Sequence, residues 1–165
     1  MSDKAMDVYL NDHLAGAMLG TDLAEQIAEK NEGTPLGEKM ASLSPKIEAD
    51  RQALIDLMEK IGTSKNPVKQ ATTWVAEKAS RPKFSGFTSG EPELGTFMAL
   101  ETLTLGVEGK VALWRALKDV EPKYEALDPR QLDQLIESAQ AQHDALEKER
   151  LAAAKVAFVG ESATA

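Results

Sequence analysis

A chain of 165 residues, 42% of them hydrophobic, has room for one domain with a buried core, and nothing in it calls for a second. Its net charge of −8, from 27 acidic and 19 basic residues spread along the chain, offers no basic stripe to a phosphate backbone or an anionic membrane, so nucleic acid is not an expected partner. The absence of cysteine excludes a disulfide frame, a thiolate nucleophile and any cysteine-ligated metal.

Aromatic residues make up 5%, and Ala, Leu, Glu, Lys and Gln fill the long segments, so propensity points to an all-α protein. The first helix is expected from Asp3 to Asn31, with Met6, Tyr9, Leu10, Leu14, Ala17, Ala24 and Ile27 on its apolar face. His13, Gly16 and Gly20 share that face, and the glycine spacing suggests close packing against another helix. No apolar segment approaches the roughly 20 residues needed to span a bilayer, and MSDKAMDVYL has no basic region followed by an apolar run. The expected location is the cytoplasm, without membrane insertion.

Gly33 is a capping signal and Thr34-Pro35 a start signal for the second helix, Pro35 to Ile61. Its stripe is Leu36, Met40, Leu43, Ile47, Leu54, Met58 and Ile61, with Asp50 and Arg51 on the flanks. Pro45 inside it predicts a kink or break near Ala41 to Ser44. The connection from Thr63 to Pro92 is far longer than a helix hairpin needs. It contains an amphipathic stretch, Pro67 to Ser80, and then a Gly-, Ser- and Pro-rich loop, Arg81 to Pro92. A crossover of that length carries the chain back along the bundle and makes the second and third helices parallel.

The third helix, Glu93 to Val120, is apolar on two sides and reads as the centre of the bundle. One face carries Leu100, Leu103, Val107, Val111, Trp114 and Leu117; the other carries Leu94, Phe97, Met98, Leu105, Ala112 and Ala116. Gly95, Ala99, Thr102, Gly106 and Gly109 form a small edge suited to close approach, and Glu101, Thr104, Glu108 and Arg115 form the polar edge. Asp128, Pro129 and Gln131 start a fourth helix that runs to about Phe158. Residues 1–159 make one domain, and Gly160 to Ala165 is expected to be a disordered tail.

Through YLNDHLAGA (Tyr9 to Ala17), GTPLG (Gly33 to Gly37), IEAD (Ile47 to Asp50), WVAEK (Trp74 to Lys78) and LGVEGKVALWRAL (Leu105 to Leu117), the chain resembles a group of uncharacterised bacterial ferritin-like proteins. The resemblance implies a ferritin-like four-helix bundle, two hairpins joined by a crossover that here contains a short helix. It brings no activity with it. The wider superfamily holds two metal ions with a Glu on each of two helices and a Glu-x-x-His pair on each of the others. Here the pattern is degenerate: Glu48 is followed by Arg51, His143 is preceded by Gln140, and His13 stands where the first helix would offer Glu.

A reduced site remains conceivable on geometry. With the second and third helices parallel and level, His13, Asp50, Glu108 and His143 meet near one height, a set suited to one iron, manganese or zinc. The alternatives are structural: a core histidine at His13, an ion pair of Asp50 with Arg51, Arg115 or Arg150, and a half-solvated row of ion pairs at Glu101, Glu108 and Arg115. Trp74, Phe84, Phe87 and Trp114 are candidates to line a small apolar pocket under the crossover. The leading expectation is a non-catalytic bundle without a cofactor, acting as a homo-oligomer or through a protein partner and presenting an exposed apolar patch. A metal-binding protein or oxidoreductase with the reduced site is the competitor, and an apolar ligand under the crossover is the third reading.

Overall fold

Every described segment with apolar residues spaced three and four apart is helical in the computed structural model, which describes residues 4–63 and 90–160. The elements are α1 (Lys4–Lys30), α2 (Pro35–Ile61), α3 (Pro92–Val120) and α4 (Pro129–Val159), with a short 3₁₀ turn, Glu121–Lys123, after α3. The described residues contain no strand, and no described helix is long and apolar enough to cross a membrane. The expected crossover helix, residues 67–80, and most of the loop after it lie outside the described residues, as do residues 161–165 of the tail.

Local signals set the helix ends. The Thr34 hydroxyl accepts from the Gly37 N–H at 3.1 Å, and Pro35 occupies the first turn, where its missing donor costs nothing. Gly37 is required by space: a Cβ there would collide with the backbone carbonyl of Asn31. Gly62 ends α2 at φ 80, a left-handed conformation that favours glycine, and Asp128 caps α4 by accepting from the Arg130 N–H at 2.9 Å. Pro45 does not break α2, which is continuous; the Ser44 hydroxyl donates to the Met40 carbonyl at 2.8 Å within the turn that the proline disturbs.

The core falls into two apolar clusters. One gathers Leu10 and Leu14 of α1, Leu54, Leu57 and Met58 of α2, Val111, Trp114 and Leu117 of α3, and Leu132 and Ala139 of α4. The other gathers Leu23, Ala24 and Ile27 of α1, Met40, Leu43 and Ile47 of α2, Leu100, Leu103 and Val107 of α3, and Leu146 of α4. The order of these residues along each helix gives the directions. Both α2 and α3 start in the second cluster and end in the first, so they are parallel, while α1 and α4 run the other way. Thr63 and Gly90 therefore stand at opposite ends of the bundle.

The most extensive pairing is α3 with α4, followed by α1 with α2; α1 against α3 joins the two hairpins, and α2 meets α4 at few points. Two expectations about packing are corrected. Around a Cβ built at Gly16, Gly20, Gly106 or Gly109 there is open space, so these glycines do not mark close helix approach. The second apolar face of α3 is not covered along its length: Leu94, Phe97 and Met98 are half-buried, but Leu105, Ala112 and Ala116 are exposed. Thr104, placed on the polar edge by the wheel, is buried and donates to the Leu100 carbonyl at 2.7 Å.

The glycines divide in an experiment. Gly37→Ala is expected to destabilise by about 1–3 kcal/mol, the usual cost of forced overpacking. Gly16→Ala and Gly20→Ala are expected to stabilise by about 0.5–1 kcal/mol, because a helix interior favours alanine where space permits. Urea denaturation of the three variants checks both signs.

Candidate functional site

Between the two clusters the core is polar. Asp50 of α2 is 6% exposed and Gln142 of α4 is 2% exposed. The Lys110 ammonium of α3 donates to Asp50 Oδ2 at 2.6 Å and to Gln142 Oε1 at 2.6 Å. Gln142 Nε2 donates to the same Asp50 oxygen at 2.9 Å, which closes the triangle, and reaches Ser138 Oγ at 3.2 Å. Three helices thus each supply one polar group. On α1 the chain passes between Leu14 and Leu23 on small residues such as Ala17 and Thr21, whose hydroxyl donates to the Ala17 carbonyl at 3.0 Å.

Burial pulls the Lys110 amine below the ordinary lysine value, and the adjacent Asp50 carboxylate opposes that shift. Taking an ammonium and a carboxylate out of water costs several kcal/mol for each, which their attraction offsets only when the remaining donors and acceptors are also bonded. Gln142 supplies that completion, offering its oxygen to the lysine and its nitrogen to the aspartate.

Of the four sequence-predicted ligands, the structure brings together one pair. His143 Nε2 lies 3.5 Å from Glu108 Oε2, on the outer side of α3 and α4. Asp50 points into the core and is held by Lys110 rather than by Arg51, Arg115 or Arg150. His13 lies half-buried on α1, its ring edge-on to Tyr9 at a centroid distance of 4.6 Å. Among the described residues no group of three or more His, Asp and Glu side chains is arranged to hold a metal ion. The Glu48–Arg51 spacing does put both on one helix face, but there the guanidinium donates to Glu48 Oε1 at 2.5 Å, so an ion pair stands where two metal ligands would be. Of the expected pocket residues, Trp74, Phe84 and Phe87 lie outside the described residues. Trp114 is fully buried in the first cluster, and its indole N–H has no acceptor among the described residues.

A groove of about 410 Å³ lies between α3 and α4. Glu101, Leu105 and Glu108 line one wall; His143, Glu147 and Arg150 line the other. Arg150 clamps Glu147 with two hydrogen bonds, 2.7 and 2.8 Å, and extends a third, 3.2 Å, to Glu101. That clamp holds the Glu147 carboxyl below its usual range. Leu105 is 67% exposed in the middle of this charged frame. The Arg150 guanidinium also lies 5.9 Å from the centre of the Phe97 ring, which is edge-on to Phe158 with centroids 5.2 Å apart. Phe158 and Val159 are 66% and 67% exposed.

Sequence reasoning passed over Lys110 and Gln142. The signal is present: Met40, Leu43, Ile47, Asp50, Leu54, Leu57 on α2, Leu100, Leu103, Val107, Lys110, Trp114, Leu117 on α3, and Leu132, Leu135, Ala139, Gln142, Leu146 on α4 follow one three-and-four spacing. Each row carries one polar residue, and these three are the groups that meet. No protein-family profile, curated protein or solved structure matches the chain.

Lys110→Met is expected to cost about 3–5 kcal/mol in unfolding free energy, because it leaves Asp50 buried without its counter-charge; chemical denaturation at neutral pH measures it. Burial also lowers the His13 pKa below the ordinary 6.5, with Asp12 opposing. The unfolded chain then binds the proton first, so the stability tied to neutral His13 is complete above pH 6.5 and is lost as pH falls through the lower folded value. Urea midpoints between pH 7.5 and pH 5 are expected to fall more steeply for the wild type than for His13→Gln.

Proposed function

We propose that this chain is a ferritin-like four-helix bundle without catalytic chemistry of its own, which acts by association through the α3–α4 groove. The observation that carries the reading is the exposed apolar run of Leu105, Phe158 and Val159 around the Arg150 clamp. Exposed apolar residues framed by polar ones are the composition of a protein interface, and aromatic and arginine side chains are its usual anchors. A second copy of the chain is the occupant favoured, because a two-fold contact buries the same anchors twice. The antiparallel hairpins with parallel α2 and α3 are in keeping with the ferritin-like plan. At mid-bundle, where that superfamily gathers metal ligands, a lysine ammonium takes up Asp50, and the residues present there do not suit a metal ion.

Light scattering coupled to size exclusion tests this reading. The wild type is expected to show a mass that rises above 17.8 kDa with concentration. The Leu105→Asp, Phe158→Ser double variant is expected to stay monomeric with unchanged helicity and melting temperature. A wild type that stays monomeric at every concentration shifts the reading to a foreign protein partner. A double variant that associates as the wild type does removes the groove from it.

The competing reading, binding of iron, manganese or zinc, has one contact in its favour, Glu108 with His143. Elemental analysis after incubation with each ion tests it. About one equivalent, lost in His143→Ala, would favour a metal protein over the association reading.

A further inference from the structure

The polar triangle has a positional property that the apolar layers around it lack. In the rows of α2, α3 and α4 the apolar residues recur every three or four positions, so sliding one hairpin against the other by a heptad, about 10 Å, still sets apolar residues against one another, Ile47 against Leu100 or Trp114 and Met40 or Leu54 against Val107. The polar residues do not tolerate that slide. Moved by seven positions, Asp50 faces Leu103 or Leu117 where it now faces Lys110, and Lys110 faces Leu43 or Leu57 where it now faces Asp50. On α4 the same shift brings Leu135 or Glu149 into the place of Gln142. Every slipped arrangement therefore buries an ion without its partner, and the native one pairs all three groups.

The hairpins are joined mainly through α1 and α3. The α2–α4 seam is thin, and outside the triangle it carries the ion pair Lys39–Glu149 at 3.0 Å. An exposed pair of that kind contributes at most about 1 kcal/mol, too little to choose a register. The open space beside Gly16, Gly20, Gly106 and Gly109 likewise means that these four glycines do not interlock the backbones against sliding.

We infer that Asp50, Lys110 and Gln142 act as a register lock: they select which level of the α1–α2 hairpin meets which level of the α3–α4 hairpin, and contribute specificity rather than stability. A single buried polar residue in a helix interface has this effect in coiled coils, and here three helices share it.

The test uses the full chain, whose lack of cysteine permits clean labelling. Spin labels on Lys46→Cys of α2 and Lys148→Cys of α4, both exposed positions, report the register as a distance. In the otherwise native chain one narrow distance is expected. In Asp50→Leu, Lys110→Met, Gln142→Leu, an all-apolar layer, the expected result is a helical protein that melts no lower than the wild type, with a second distance or a distribution at least twofold broader. Lys110→Arg, which keeps a cation in the layer, is expected to hold the single distance. A triple variant that keeps the single native distance overturns the inference, as does one that fails to fold, since that would make the triangle a source of stability. A Lys110→Arg variant as broad as the triple variant also overturns it.

Discussion

The Lys110 ammonium held between Asp50 and Gln142 is the interaction on which this bundle's arrangement turns. A charge of either sign in a helix interior is tolerated only when its partner and its remaining hydrogen bonds are supplied, and here they come from two other helices. The triangle separates two apolar clusters, one at each end of the bundle, each drawing residues from all four helices. Neither cluster by itself distinguishes one alignment of the hairpins from the next; the level between them does.

That arrangement has a consequence for chemistry. The middle of a four-helix bundle is where facing helices can converge four side chains on a ligand or metal. In this chain that position is taken by a lysine, a cation that belongs to the fold. The groups free to meet a partner are displaced outward, to the groove where Leu105 stands among Glu101, Glu108, His143 and Arg150. Interior and exterior thus divide the work: charge inside sets the alignment, and apolar surface outside is available for association.

Much of the fold is legible in the sequence, and the reasons are local. Thr34-Pro35, Gly62 and Asp128-Pro129 mark helix ends because unpaired backbone donors and left-handed turns leave few residue choices. The length of the connection after α2 is enough to infer that α2 and α3 run parallel. The site is harder to read. A 100° wheel places Lys110 squarely on the Leu103–Val107–Trp114 face, but a lysine is ordinarily assigned to solvent, and a search weighted toward metal-ligating side chains turns to His143 instead of its neighbour Gln142. The cation that Asp50 requires stands within the apolar row of α3 itself, not among the arginines that border the core. The glycines mislead for a related reason: small residues permit close approach without compelling it, and Gly16 and Gly106 face open space. Leu105 belongs to an apolar wheel face, yet its exposure depends on how far α4 reaches around α3, which periodicity does not encode.

The most direct measurement is the titration and proton exchange of the Lys110 side-chain amine, followed by nitrogen-15 NMR with selective lysine labelling. Held between Asp50 and Gln142, its protons should exchange slowly enough to be seen at neutral pH, its midpoint should lie below the ordinary lysine value, and that midpoint should fall further in Asp50→Asn, which removes the carboxylate that opposes the effect of burial. A Lys110 amine that exchanges and titrates like the surface lysines would place it in solvent and contradict the account.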